Sequence, residues 1–273
     1  MTTVATPRAD QTDYRHSAST PANAIDRWIY VSMAVWFIAI TLTGFVPDSL
    51  QKLAAIEAGE RPPFPLVLHV HSVLMGSFLL LLLAQTTLAA TGRLDHHKRL
   101  GIAAVVLAPA IVIAGFILVP TMHQQMWHGL QAAPPEAQAG MQWLISFFNN
   151  VMLVQIRVGI VFPLLILIAL LARKTNPGLH KRMMFLAIAP ALPAAFDRMT
   201  WIPHTLPDSP LSPDLYILLA VAPMLIWDVV RTRTVHTAYW IWLAIMVPSS
   251  IVIHSLWDTD WWQQTAPRLV GLG

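Results

Sequence analysis

Eleven histidines, twelve methionines and no cysteine set the donor chemistry of this 273-residue chain. Without cysteine there are no disulfides, no thiolate-held iron–sulfur cluster, no covalently attached haem and no thiol nucleophile. A metal or haem must then be held by His, Met, carboxylate or Tyr. His69 and His71, followed by Met122, His123, Met126 and His128 in TMHQQMWHG, then His204, His254 and Asp258, form one layer of such donors. His96, His97, His180, Asp228 and His236 form another. Soft thioether and imidazole donors together suit copper, above all Cu(I). The competing reading makes them ordinary interfacial side chains satisfied by water.

Spacing narrows the options. His69 and His71 bind one metal only if the backbone there is extended, because residues two apart on a helix point to roughly opposite faces. Pro63 and Pro65 allow a non-helical start, and Met75 and Phe78 continue the face of His71. Arg157, Asp197 and Arg198 lie at membrane depth, where an ionisable group costs at least about 2.5–3.5 kcal/mol and faces inward with a partner. Asp197 is the acid expected to pair with Arg157 or Arg198. The second arginine would then serve an anionic or quinone-like group, or both would belong to a structural ion-pair network. Asn149, Asn150 and Gln155 add polar partners on the same helix as Arg157.

Several chemistries are excluded. Lys52, Lys98, Lys174 and Lys181 all fall in loops, so no mid-helix lysine can form a retinal Schiff base. The histidines lack di-iron hydroxylase spacing and HExxH, no glycine loop cradles a phosphate, and no basic soluble domain binds nucleic acid.

The elements that must position these residues are apolar. At 56% hydrophobic and 11% charged, with a mean hydropathy of +0.57, the chain departs from a soluble globule, for which about 25% charged is typical. Residues 1–24 are Thr-, Ala-, Ser- and Pro-rich and read as a disordered tail. Seven apolar spans follow, at 28–46, 66–90, 100–120, 144–171, 183–202, 213–230 and 238–256, each long enough to cross a bilayer. The domain runs over 25–262 and a short tail over 263–273. One side collects Arg8, Arg15, Arg27, Arg93, Lys98, Arg99, Arg173, Lys174, Lys181, Arg182, Arg231 and Arg233. The other holds Lys52, Arg61 and Arg268. The positive-inside rule therefore puts the N-terminus inside and the C-terminus outside. Three hairpins turn on basic inner loops that each contain a histidine: RLDHHKRLG, RKTNPGLHKRMM and RTRTVHTAYW. The first two share His-Lys-Arg at the start of a returning helix that later carries Ala-Pro-Ala, a pattern consistent with a parallel duplication.

The run His71…Gln85…His97-Lys-Arg-Leu-Gly, followed by His180-Lys-Arg-Met-Met and Arg198, resembles a family of uncharacterised bacterial multi-pass membrane proteins over about residues 66–200. A histidine near one face and another opening the next helix is distantly similar to transmembrane b-type cytochromes. That resemblance implies an outer pair, His71 with His254 or His204, and an inner pair, His97 with His180. The chain departs in its short His71-to-His97 spacing and in lacking histidines well inside its helices.

Together these observations predict an all-α, seven-helix bundle of the bacterial inner membrane with a histidine-lined outer-leaflet pocket capped by the 121–142 loop. The function expected is redox-type or metal-handling. His69, His71, His123, His128 and His254 would be ligands to a b-type haem or to copper, iron or zinc. Arg157, Arg198, His97, His180 and Gln85 would bind the cofactor or a quinone, with the lipid bilayer or another membrane protein as partner. The alternatives are a small-molecule or lipid carrier using Asp197, Arg198 and Arg157 as a charge relay, and an assembly subunit of a larger complex.

Overall fold

A computed structural model describes residues 21–272, and every regular element in it is helical. The elements are α1 (Pro21–Glu57), α2 (Leu66–Ala90), α3 (Leu94–Leu100), α4 (Ile102–Ala132), α5 (Pro135–Ala172), α6 (Pro177–Ile188), α7 (Pro193–Phe196), α8 (Leu211–Thr232), α9 (Thr237–Leu256) and α10 (Asp260–Leu269), with a 3₁₀ turn at Ala189–Ala191. Six helical stretches, Ile25–Glu57, Leu66–Ala90, Leu94–Ala132, Pro135–Ala172, Leu211–Thr232 and Thr237–Leu256, are long and apolar enough to cross a membrane. The chain is thus a multi-pass helical bundle that meets the bilayer through a large exposed apolar surface, with side chains such as Leu80, Val106, Phe116 and Leu171 more than 60% exposed.

The stretch 183–202, expected as one helix, is broken. Proline has no N–H to donate and its ring clashes with the preceding turn. At Pro190 and Pro193 the chain passes through the 3₁₀ turn into the single turn of α7 and then an irregular run. Non-helical backbone survives at membrane depth only where protein surrounds it. Here Met183, Phe185, Leu186, Ala187, Ala189 and Ala195 are at most 1% exposed. They pack with Phe37 of α1 and Ile217 and Met224 of α8 in one core. Gly44 makes this possible, because a Cβ there would overlap the Ala195 carbonyl of α7.

Other expectations also change. Residues 121–142, expected as a capping loop, are helical apart from the turn at Ala133 and Pro134, so α4 and α5 form a long hairpin. At 1.5 Å per residue α5 is roughly 57 Å long, well beyond the ~30 Å hydrocarbon core. Pro21–Ala24, placed in the tail, begin α1, while the rest of that tail lies outside the described residues. Most of the expected C-terminal tail is α10, docked on α5. Trp262 Nε1 donates to the Asn149 carbonyl at 2.7 Å, and Asn149 and Asn150 bond Gln263 at 3.0 and 2.9 Å.

The two ends of the bundle differ. At the basic end Arg231 bonds Asp26 at 2.8 Å, and Arg182 bonds Asp228 twice at 2.6 Å. At the Trp-rich end Arg198 bonds Asp48 at 3.1 Å, and Arg157 bonds Asp214 at 2.6 Å.

Candidate functional site

At the basic end two hairpins each hold up a histidine. Helix α2 stops in a Schellman motif: Arg93 N donates to Leu88 O at 2.8 Å and Gly92 N to Ala89 O at 3.1 Å. Gly92 supplies the left-handed φ of 74° that this motif needs. The tight reversal swings α3 back along α2, where His97 Nδ1 donates to the Gln85 carbonyl at 3.1 Å. In the second hairpin Asn176 caps α6 by accepting from Leu179 N at 2.9 Å, with Pro177 at the first helical position. His180, one residue later, donates from Nδ1 to the Ala169 carbonyl at 2.8 Å.

The two constructions match. Each imidazole is fixed by a carbonyl 12 or 11 residues upstream. The two rings lie edge-on to one another, with centroids 6.5 Å apart and planes at 89°. A donating Nδ1 leaves the Nε2 lone pair free on both rings, the tautomer found in metal-ligating histidines. The Gln85 side chain belongs to the same place: its Oε1 and Nε2 are both buried without a hydrogen-bond partner. A Cβ on Gly101, at the α3–α4 junction, would lie 3.4 Å from that Nε2. Such unsatisfied buried groups call for an explanation. His97, His180 and Gln85 thus lie together at the basic end.

Next to this pair is a buried ion pair. The Arg182 and Asp228 side chains are 9% and 7% exposed, and Tyr239 donates to the same carboxylate at 2.5 Å. His236 caps α9, its Nδ1 accepting from Ala238 N at 3.0 Å. Burial, then the Arg182 charge, holds the His236 imidazole below the ordinary histidine range, keeping that nitrogen unprotonated.

The Trp-rich end gathers charge. Arg157 Nη1 donates to Asp214 at 2.6 Å and to Ser250 Oγ at 3.0 Å, and His254 Nε2 lies 3.3 Å from the other Asp214 oxygen. Asp214, Ser250 and His254 line a groove of about 520 Å³ between α8 and α9. Arg157, with its side chain 2% exposed, backs it from α5. The pairing expected of Asp197 is therefore replaced. Arg157 takes Asp214 and Arg198 takes Asp48, so the two arginines serve separate ion pairs and no Asp197–Arg198–Arg157 relay exists. Arg198 also bonds the Ala194 carbonyl and stacks over Phe45 at 4.5 Å.

The remaining histidines do not converge. Helix α2 starts at Leu66, so His69 and His71 are already helical and diverge. His69 is exposed with its ring edge-on to Phe64, whereas His71 turns inward to within 3.6 Å of where a Gly115 Cβ would stand on α4. His123 is 4% exposed and donates to Val119 O at 2.9 Å, with Nε2 buried and unpartnered, while His128 is exposed. His204 Nε2 bonds Met199 O. His71 Nδ1 is buried without a hydrogen-bond partner, and His254 bonds Asp214 of α8. Among the described residues no group of three or more His, Asp or Glu is placed to hold a metal ion. Asp214 and Ser250 were missed by sequence reasoning. Asp214 carried one signal, as a lone acid at the mouth of the sixth apolar run, and Ser250 none.

No family model, curated protein or solved structure matches the chain.

Proposed function

We propose that this is a redox-type integral membrane protein of the bacterial inner membrane that holds a b-type haem or a transition-metal ion between His97 and His180, with Gln85 beside it. The membrane is crossed seven times, the fifth by the broken segment that runs from Arg182 at the basic end to Arg198 at the other. The basic end is cytoplasmic under the positive-inside rule.

The observation that carries the reading is the close, perpendicular pair of imidazoles. Both are oriented by backbone carbonyls and both keep Nε2 free. Two metal–nitrogen bonds of about 2 Å fit between rings at this separation. The unpartnered carboxamide of Gln85 supplies a third polar group. Carbonyl-bonded Nδ1–H groups also raise the basicity of the ligating nitrogens.

The test is an optical spectrum and metal analysis of protein purified from haem-supplemented cells. A Soret band or stoichiometric metal is expected in the wild type and in His71→Ala and His254→Ala, and is lost in His97→Ala and His180→Ala. A wild type with neither chromophore nor metal ends the proposal.

A further inference from the structure

We infer that the groove between α8 and α9 binds a neutral amphiphile with a hydroxyl- or carbonyl-bearing ring head and one apolar tail, the chemistry of an isoprenoid quinone or quinol. The inference stands apart from the histidine pair at the basic end.

Its shape selects a single chain. On α9 the lining runs from Trp242 to His254, about 18 Å at 1.5 Å per residue. Its walls are Leu215 and Leu218 on α8, and Met246, Val247 and Ile251 on α9. Leu218, Val247 and Ile251 are 46%, 50% and 60% exposed, so the slot opens sideways to the hydrocarbon and a ligand dissolved in the bilayer reaches it without crossing water. Trp242, 2% exposed, closes the far end.

The head is selected by charge and hydrogen bonding. Arg157 and Asp214 cancel, and the arginine is already committed to Asp214 and Ser250 behind the groove wall. A phosphate head would therefore meet the Asp214 carboxylate with no free cation to offset it. An ammonium head would find both Asp214 oxygens already engaged, one by Arg157 and the other by His254. What the groove offers is uncharged. Ser250 Oγ accepts from Arg157, so its own O–H is free to donate. His254 gives Nε2–H to Asp214, so its Nδ1 is free to accept, on a ring 36% exposed. One donor and one acceptor at the polar end of an apolar slot match a ring that carries a carbonyl and a hydroxyl, and a few placed polar groups are how such sites orient their ligands.

The test uses the full-length protein in maltoside micelles, titrated with a ubiquinone analogue bearing a ten-carbon tail and, separately, with phosphatidylglycerol. Binding is read by calorimetry and by the ligand-induced rise in unfolding temperature. Saturable binding of the quinone is expected, with at least a tenfold loss of affinity in Leu218→Trp, which fills the slot, and in the double variant Ser250→Ala with His254→Leu, which removes the head contacts. Gly76→Ala, on α2 with open space around it, should bind as the wild type does. Val247→Trp fills the slot from the other wall should Leu218→Trp not fold. The inference is overturned by absence of saturable quinone binding, by undiminished binding in the slot-filled and head-contact variants, or by phosphatidylglycerol binding as tightly as the quinone.

Discussion

Replacing Asp228 with Asn tests the physical account of the basic end most directly. The change keeps the shape of the side chain and removes its charge, leaving the Arg182 guanidinium, 9% exposed, without a counter-ion. Two Arg–carboxylate bonds of 2.6 Å and the 2.5 Å bond from Tyr239 converge on this one group. Breaking a buried pair from one side costs about 3–5 kcal/mol, since the partner is left charged in a poorly solvated site. The Asn carbonyl still accepts one bond from Arg182, which places the expected loss near 3 kcal/mol. Tyr239→Phe removes a single hydrogen bond to a charged group, worth about 1.5–3 kcal/mol. The diagnostic variant replaces both charges, as Arg182→Met with Asp228→Leu. It should cost less than Asp228→Asn alone, because no unpaired charge remains. Unfolding in mixed micelles with increasing SDS, followed by tryptophan fluorescence, gives the free energies. A loss below about 1 kcal/mol for Asp228→Asn, or a double variant as costly as the two single changes summed, would refute the reasoning.

Two further outcomes are expected from the packing and the capping. Gly44→Ala should lower thermal stability markedly, because its methyl group overlaps the Ala195 carbonyl, whereas Gly76→Ala, with open space around it, should be neutral or gain up to about 1 kcal/mol from helix propensity. Similar melting temperatures for the two variants would contradict this. His236 has its pKa lowered in the folded protein, so the stability it contributes is complete above its unfolded value of about 6.5 and is lost as pH falls below it. His236→Asn, which also caps a helix but does not titrate, should flatten the melting-temperature profile between pH 7.5 and 5. An unchanged profile would show that the cap is not the titrating element.

The long helices were legible because apolar runs of about eighteen residues or more leave few alternatives. The inner cluster was legible too, since His97 and His180 carry the same local motif and each is placed by its own hairpin. What packing decides was not legible. Asp197 is adjacent in sequence to Arg198 and close in expected depth to Arg157, yet neither arginine pairs with it. Arg198 reaches Asp48, 150 residues away, and Arg157 reaches Asp214, 57 residues away, because helices α1 and α8 bring those acids to the arginines. The fifth apolar run reads as one helix, and the structure breaks it into α6, a 3₁₀ turn and α7. Its hydrophobicity reflects burial among helices rather than contact with lipid, and Pro190 and Pro193 mark the break. His254 was expected as a metal or haem ligand opposite His71, and the partner it has is the Asp214 carboxylate.

The buried fifth segment also bears on how the chain is made. Met183, Leu186, Ala187 and Ala189 present no side to lipid, and the longest helix in the segment, α6, has only 12 residues. An isolated segment of that kind would expose unsatisfied backbone at Pro190 and Pro193 to hydrocarbon, at a cost of several kcal/mol per group. If it is the proposed fifth crossing, its neighbours must shield it as it leaves the translocon. Gly44 on α1 and the face of α5 are synthesised first and form one wall, and α8 follows to close the other. Integration of the centre of the molecule is therefore tied to the arrival of its last quarter, and chains halted before α8 should leave residues 183–199 unshielded.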